Sequence, residues 1–107
     1  MKNINIIDGH VDLLYLMMNQ YAGIPFGDLD KGPITPKTLS AGKVSIFVAV
    51  FYCPDKFNGA ESVSHFKTLL DYQGRYLKTL TPVLTKEVLI SSYQAPAQTG
   101  IIFLLEN

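Results

Sequence analysis

Residues Val44-Ser-Ile-Phe-Val-Ala-Val-Phe-Tyr52 form an almost unbroken apolar run of β-branched and aromatic side chains. Such side chains favour a strand, and a strand without apolar–polar alternation is typical of a parallel sheet that helices cover on both faces. The run Gly100-Ile-Ile-Phe-Leu-Leu-Glu106 has the same character, and the short β-branched segment at residues 4–8 indicates a third strand. The pattern therefore predicts three strands, two of which are suited to burial on both faces.

Helical patterns lie between these strands. Apolar residues at helical spacings predict a helix over residues 11–21, and Pro36–Ala41 predicts a single helical turn. A longer helix is predicted to begin near Asn58 and to end before Pro82, because proline lacks the amide that a helix interior needs. The predicted apolar face of this helix consists of Val63, Phe66, Leu70, Leu77 and Leu80. Residues 85–93 predict one more short helix.

The alternation of strands and helices indicates βαβ units and a parallel sheet. Charged residues make up only 17% of the 107 residues, against about 25% in ordinary soluble domains, and no predicted helix follows the last strand to cover it. One interpretation is a small three-stranded α/β domain that covers its edges by dimerisation. We favour the N-terminal βα units of an α/β fold, a (β/α)8 TIM-type barrel truncated after the third strand, because a right-handed βαβ chain should continue. Residues 1–107 would then be a single partial domain, since a full barrel takes about 250 residues.

The overall composition excludes several classes of protein. Nine basic residues balance nine acidic residues, so the formal net charge is zero and no basic field is present to bind nucleic acid. A hydrophobic content of 48% argues against a disordered tail. No apolar run reaches the roughly 18 residues of a membrane span, and no secretory signal is visible. The single cysteine, Cys53, rules out an internal disulfide, so we expect a cytoplasmic protein without nucleic-acid partners.

Two places carry side chains that suit metal chemistry. Residues two apart along an extended chain point the same way, so His10 and Asp12 can present an imidazole and a carboxylate to one ion. The alternative, which the tripeptide alone favours, is that Asp12 caps the following helix while His10 bonds to the backbone. Glu106 ends the last strand, where a buried unpaired carboxylate would cost several kcal/mol. A metal would remove that penalty, and a solvated strand end is the alternative.

Other candidates carry weaker signals. His65 lies one residue off the predicted apolar face and is predicted to be a surface residue. Cys53 has no second cysteine or nearby histidine to activate it, so we interpret it as a small buried residue rather than a nucleophile. No glycine-rich phosphate loop is present.

The segment Ile7-Asp-Gly-His-Val-Asp-Leu13 resembles the opening strand of the membrane (renal-type) dipeptidases, peptidase family M19, in the amidohydrolase superfamily of metal-dependent barrels. Three further stretches resemble that family in the same order. Residues 34–45 resemble its turn into the second strand, residues 47–55 that strand and its exit, and Gly100–Glu106 its third strand with a terminal glutamate. The resemblance spans the whole chain, with Asn107 in place of the family's usual glycine.

This resemblance implies a set of ligands and a function. His10 and Asp12 would bind one zinc ion, and Glu106 would bridge two zinc ions that share a hydroxide for attack on the peptide bond of a dipeptide. Later strands of the family supply two further histidine ligands and the residues that assist the chemistry, so no catalytic residue is assigned within this chain. The resemblance implies the N-terminal fragment of a zinc-dependent dipeptidase-like hydrolase, a metallo-dipeptidase when intact. We expect the isolated chain to bind metal weakly or not at all and to be inactive.

Two alternatives stay open. Another hydrolase of the amidohydrolase superfamily could use the same site, because later loops would shape its substrate pocket. A small non-enzymatic α/β module could self-associate through exposed sheet edges or apolar surface. The position of Glu106 separates these hypotheses, because convergence of its carboxylate with His10 and Asp12 favours the barrel.

Overall fold

A parallel sheet organises the chain. The computed structural model describes residues 4–94 and 98–106. The strands are β1 (Ile6–Val11), β2 (Val44–Tyr52), β3 (Thr81–Pro82) and β4 (Gly100–Glu106). They form a four-stranded sheet in the order β1-β2-β4-β3, and every neighbouring pair is parallel. The predicted parallel α/β architecture is confirmed, whereas the closure of the sheet into a barrel stays a prediction.

The predicted bounds of β2 and β4 agree with the structure, while the two edge strands differ. β1 begins at Ile6 and pairs with β2 as far as Val11, beyond the predicted residues 4–8. No sequence pattern predicts β3, because it contains Pro82 and proline lacks the amide that a strand normally donates. Proline is nevertheless tolerated in an edge strand such as β3. The amide of Thr81 donates to the carbonyl of Thr99, and the amide of Val83 donates to the carbonyl of Ile101 in β4, each at 2.9 Å. Pro82 therefore occupies the intervening position, whose amide needs no partner in the sheet.

The described residues contain four α-helices. They are α1 (Leu13–Gln20), α2 (Pro36–Ala41), α3 (Ser62–Tyr76) and α4 (Lys86–Gln94), with short 3₁₀ turns at Phe26–Asp28, Asp55–Phe57 and Gly59–Glu61. A capping box starts α2: the Thr35 hydroxyl accepts the Thr38 amide at 3.1 Å, and the Thr38 hydroxyl accepts the Thr35 amide at 2.8 Å. Thr85 similarly accepts the amide of Val88 at the start of α4, at 3.2 Å. None of these helices has the length and apolar character needed to cross a membrane.

The main hydrophobic core lies on one face of the sheet, between β2 and the helices α1 and α3. Phe47, Ala49 and Phe51 alternate along β2 and are at most 3% exposed. The core side chains of α1 are Leu13, Leu14 and Met17. The Phe51 ring also packs 5.3 Å from the ring of Phe103, so the core extends from β2 onto β4.

The buried face of α3 differs from the predicted one. Leu69 is 3% exposed, whereas Val63 and Leu70 are 61% and 41% exposed, so the prediction for those two residues is wrong. The Phe66 ring packs 5.5 Å from the Phe51 ring, which directs the face through Phe66 and Leu69 toward the sheet. Two apolar series overlap on this helix, and the contact with β2 selects between them.

Helix α4 covers the amino-terminal end of the opposite face. Ile46 is fully buried there and pairs with Gly100. A methyl group at Gly100 would lie 3.2 Å from the Cβ of Ser92 and 2.9 Å from a methyl carbon of Val83, so the glycine permits close packing at this point. Toward the carboxyl end of the same face, Leu104 is 42% exposed. The predicted burial of β2 on both faces is confirmed, while β4 is only partly covered.

Tyr72 on α3 carries a buried hydroxyl. Burial raises the pKa of Tyr72 above its ordinary value of 10.0, and the neighbouring Tyr76 raises it further. The backbone of Gly23 opposes this shift, yet among the described residues no group lies in good hydrogen-bonding geometry with the Tyr72 hydroxyl oxygen. The hydroxyl is therefore desolvated without full compensation.

Tyr72→Phe is expected to raise the free energy of unfolding by about 1 kcal/mol at pH 7, because it removes an unpaired buried hydroxyl. The pKa of Tyr72 is higher in the folded than in the unfolded chain, so ionisation of its hydroxyl disfavours folding. The parent's free energy of unfolding is therefore highest below pH 10 with respect to this group, and it falls as pH rises through the folded pKa. Urea unfolding at pH 7 and above pH 10 measures both effects, with Tyr93→Phe as the control, because Tyr93 is an exposed tyrosine. A Tyr72→Phe chain that is less stable than its parent at pH 7 contradicts this account.

Candidate metal centre

Parallel pairing brings the carboxyl ends of β1, β2 and β4 to one edge of the sheet. Glu106 lies opposite Tyr52, where the β2–β4 ladder ends. His10 is the second-last residue of β1, and Asp12 follows that strand directly, at the start of α1. Side chains that are 96 positions apart in the sequence can therefore meet at this edge.

The three predicted side chains come together there. The Nε2 atom of His10 lies 3.7 Å from Oδ2 of Asp12 and 3.5 Å from Oε2 of Glu106. One ligand atom from each of the three residues lies within 4.8 Å of the other two. The side chains of His10, Asp12 and Glu106 are 52%, 55% and 43% exposed. The cluster therefore forms an open, solvent-accessible group of one imidazole and two carboxylates.

Asp12 does not play the capping role that the sequence leaves open. It occupies the N-cap position of α1, but its side chain makes no capping hydrogen bond. The carboxylate faces His10 instead. The helix start thus fixes the backbone at Asp12 while leaving both carboxylate oxygens available to a ligand.

The donor set fits a divalent metal such as zinc. Zinc binds imidazole nitrogen and carboxylate oxygen at 2.0–2.2 Å in tetrahedral geometry, which places neighbouring donor atoms about 3.4 Å apart. The two distances from His10 Nε2, 3.7 and 3.5 Å, are close to that separation. Exposed histidine and carboxylate groups gain little from pairing with one another in water, whereas a dication would neutralise both carboxylates at once.

Asp8 is a further polar residue of this segment, and it is not among the predicted site residues. The Oδ1 atom of Asp8 accepts a hydrogen bond from the backbone amide of His10 at 3.1 Å. The signal was present in the sequence, because an aspartate commonly accepts the amide two residues later in a local turn.

The second histidine and the cysteine do not belong to the cluster. The prediction of a surface position for His65 is wrong: the side chain is half-buried, its Nε2 lies 3.1 Å from the Tyr52 carbonyl oxygen, and its ring stacks on Phe57 at 4.4 Å. Cys53 is half-buried rather than buried, and its Sγ lies 3.9 Å from Oδ1 of Asn58. These contacts give His65 a structural role at the exit of β2.

Comparisons with known proteins identify a related fold. No protein-family model and no curated protein sequence matches the chain. Among solved structures, the crystal structure of a dipeptidase described as a metallopeptidase of family M19 superposes with a TM-score of 0.77 at 15% sequence identity. The superposition covers 99% of this chain and 36% of the dipeptidase chain. The chain therefore spans about a third of that dipeptidase and shares the mixed α/β fold of its N-terminal part.

Proposed function

We propose that this chain is the N-terminal part of a zinc-dependent, dipeptidase-like hydrolase with a (β/α)8 barrel, and that His10, Asp12 and Glu106 are its metal ligands. The observation that carries the proposal is the convergence of these three side chains within 4.8 Å at the carboxyl edge of the sheet. Barrel enzymes place their active sites at that end of their strands. The fold shared with a metallopeptidase supports the same assignment.

Each residue would have a distinct part in holding the metal. His10 would contribute the Nε2 lone pair of a neutral imidazole, and Asp12 and Glu106 would each contribute a negatively charged oxygen. Glu106 lies on a different strand from the other two, and by likeness to the M19 dipeptidases it would be the residue that bridges to a second ion. A bound divalent metal supplies polarisation of a scissile carbonyl and activation of water.

Three ligands do not complete such a site. This chain spans 36% of the dipeptidase with the same fold, and we propose that the further ligands and the substrate pocket belong to the segments that correspond to the remainder. Dipeptides are the proposed substrates of the complete protein, by likeness to that metallopeptidase. The 107-residue chain is accordingly expected to hydrolyse no dipeptide, and sustained turnover by the purified chain would show that three ligands suffice.

Zinc is expected to bind the 107-residue chain weakly, with a dissociation constant on the order of 0.1 mM, which is about −5.5 kcal/mol. A zinc titration of the chelator-treated chain, followed by NMR, should shift the ring resonances of His10 while those of His65 stay in place as an internal control. Binding should weaken on acidification, because the ligands must be deprotonated.

A His10 ring that does not respond to millimolar zinc would contradict the proposal. The self-association hypothesis would then be preferred, because Ile6 and Ile7 on the β1 edge are each 48% exposed and Leu105 on β4 is 66% exposed.

A further inference from the structure

The register between β1 and β2 shifts twice: β2 advances by one extra residue between the pairs Ile6–Val44 and Ile7–Ile46, and β1 advances by one extra residue between Asp8 and Val11. Asp8 pairs with Phe47, and the next pair is Val11 with Ala49. Three residue steps along β1 therefore match two steps along β2, which is the signature of a β-bulge. The bulge includes Gly9 and His10.

This bulge determines which way His10 points. If the register of the Asp8–Phe47 pair continued along β1, His10 would lie opposite Ala49, which is fully buried in the hydrophobic core. The extra residue places Val11 opposite Ala49 instead, and Val11 is itself a core residue with 6% exposure. His10 and Asp12, one position to either side of Val11, consequently point away from the core.

Glu106 points to the same side. It pairs with Tyr52, while the preceding pair is Phe51 with Leu105. Phe51 belongs to the hydrophobic core, so alternation directs Glu106, one position beyond Leu105, to the opposite face, where its Oε2 lies 3.5 Å from Nε2 of His10. If the register of the Asp8–Phe47 pair continued past Gly9, the imidazole and the Glu106 carboxylate would lie on different faces of the sheet.

Asp8 makes the polar contact that accompanies the bulge. Its Oδ1 accepts the His10 amide at 3.1 Å, at the position where the ladder with β2 is interrupted. Gly9 has no positive φ, and a methyl group on it would meet no atom within 4 Å. The bulge therefore does not depend on a conformation or a space that only glycine allows, and the side chain of Asp8 is the distinctive feature.

We propose that Asp8 is a positioning residue, whose carboxylate holds the bulge and thereby turns His10 toward Asp12 and Glu106. The role of this bulge in metal binding rests on the proposed function, whereas its role in orienting His10 does not. The side-chain oxygen matters through the hydrogen bond that it accepts and not through its charge.

Two variants separate hydrogen bonding from charge. Asp8→Asn keeps an acceptor oxygen in the same place and loses the charge, whereas Asp8→Glu keeps the charge and moves the oxygen by one methylene group. Hydrogen exchange of the His10 amide and the cross-strand NOE between Val11 and Ala49 report the bulge, and the zinc titration reports the ligands. Asp30→Asn, at an exposed loop position, is the matched control.

Asp8→Asn is expected to retain the NOE, slow exchange of the His10 amide and zinc affinity within about twofold. Asp8→Glu and Asp8→Ala are expected to speed that exchange by about tenfold and to weaken zinc binding by roughly 10- to 100-fold, the range seen when an outer-shell partner is lost. If Asp8→Glu keeps the parent's amide exchange and zinc affinity while Asp8→Asn loses them, the proposal is overturned. Unchanged exchange of the His10 amide in Asp8→Ala would also overturn it.

The exchange and NOE measurements do not require metal. If the parent binds no zinc while Asp8→Ala still loses the Val11–Ala49 contact, the proposed function fails and the positioning role of Asp8 stands. If the parent binds zinc and Asp8→Ala keeps both its bulge and its affinity, the positioning role fails and the proposed function stands.

Discussion

Glu106→Gln should weaken zinc binding by on the order of 100-fold, which corresponds to about 2.8 kcal/mol. Glutamine keeps the shape of the side chain but loses the negative charge that makes a carboxylate oxygen a zinc ligand. Glu106 is also the proposed ligand that comes from a separate strand, and its Oε2 lies 3.5 Å from His10 Nε2. The remaining pair, His10 and Asp12, would then hold the ion from one side only.

The titration that measures this loss has a matched control in Glu61→Gln. Glu61 is an exposed glutamate in a 3₁₀ turn before α3 and lies outside the cluster, so its replacement removes the same charge from the chain without touching the ligands. Affinity should be unchanged in Glu61→Gln. Equal affinities in the parent and in Glu106→Gln would remove Glu106 from the site while leaving His10 and Asp12 as candidates.

Phe47→Ala should lower the free energy of unfolding by about 3–5 kcal/mol, the usual range for truncation of a buried aromatic side chain. Phe47 is fully buried on the central strand β2 and belongs to the main core. Total stabilities of domains lie near 5–15 kcal/mol, so this single change removes a large share. The same strand positions both halves of the site, through the pairs Val11–Ala49 and Tyr52–Glu106.

Urea unfolding monitored by circular dichroism measures this change. Leu84→Ala serves as the control, because Leu84 is 81% exposed and its truncation should cost less than about 0.5 kcal/mol. Similar midpoints for the two variants would mean that Phe47 is not at the centre of a packed core.

The strands that sequence patterns predict best are those with continuous apolar runs. The bounds of β2 and β4 follow from such runs, because burial on both faces leaves no polar residue within them until the ends. β1 is less predictable, since its middle consists of Asp8, Gly9 and His10, and aspartate and glycine are depleted in strands. β3 consists of two residues and contains Pro82, and its existence depends on hydrogen bonds to a chain segment about twenty positions later.

The buried face of α3 likewise depends on contacts that sequence patterns do not predict. Val63 and Leu70 are as apolar as Phe66 and Leu69, and both series have helical spacing. Only packing against Phe51 of β2 distinguishes them, and that contact is not encoded in the helix itself.

Local residue patterns thus identified the parallel α/β architecture, the central strands and the three side chains His10, Asp12 and Glu106, because strand propensity and motif spacing act over a few neighbouring residues. The convergence of those side chains depended on the tertiary structure. It requires the register between β1, β2 and β4 and the extra residue in β1 between the pairs Asp8–Phe47 and Val11–Ala49. Register is set by which side chains the assembled core accepts: Val11 enters the core beside Ala49, and His10 is therefore left facing Glu106.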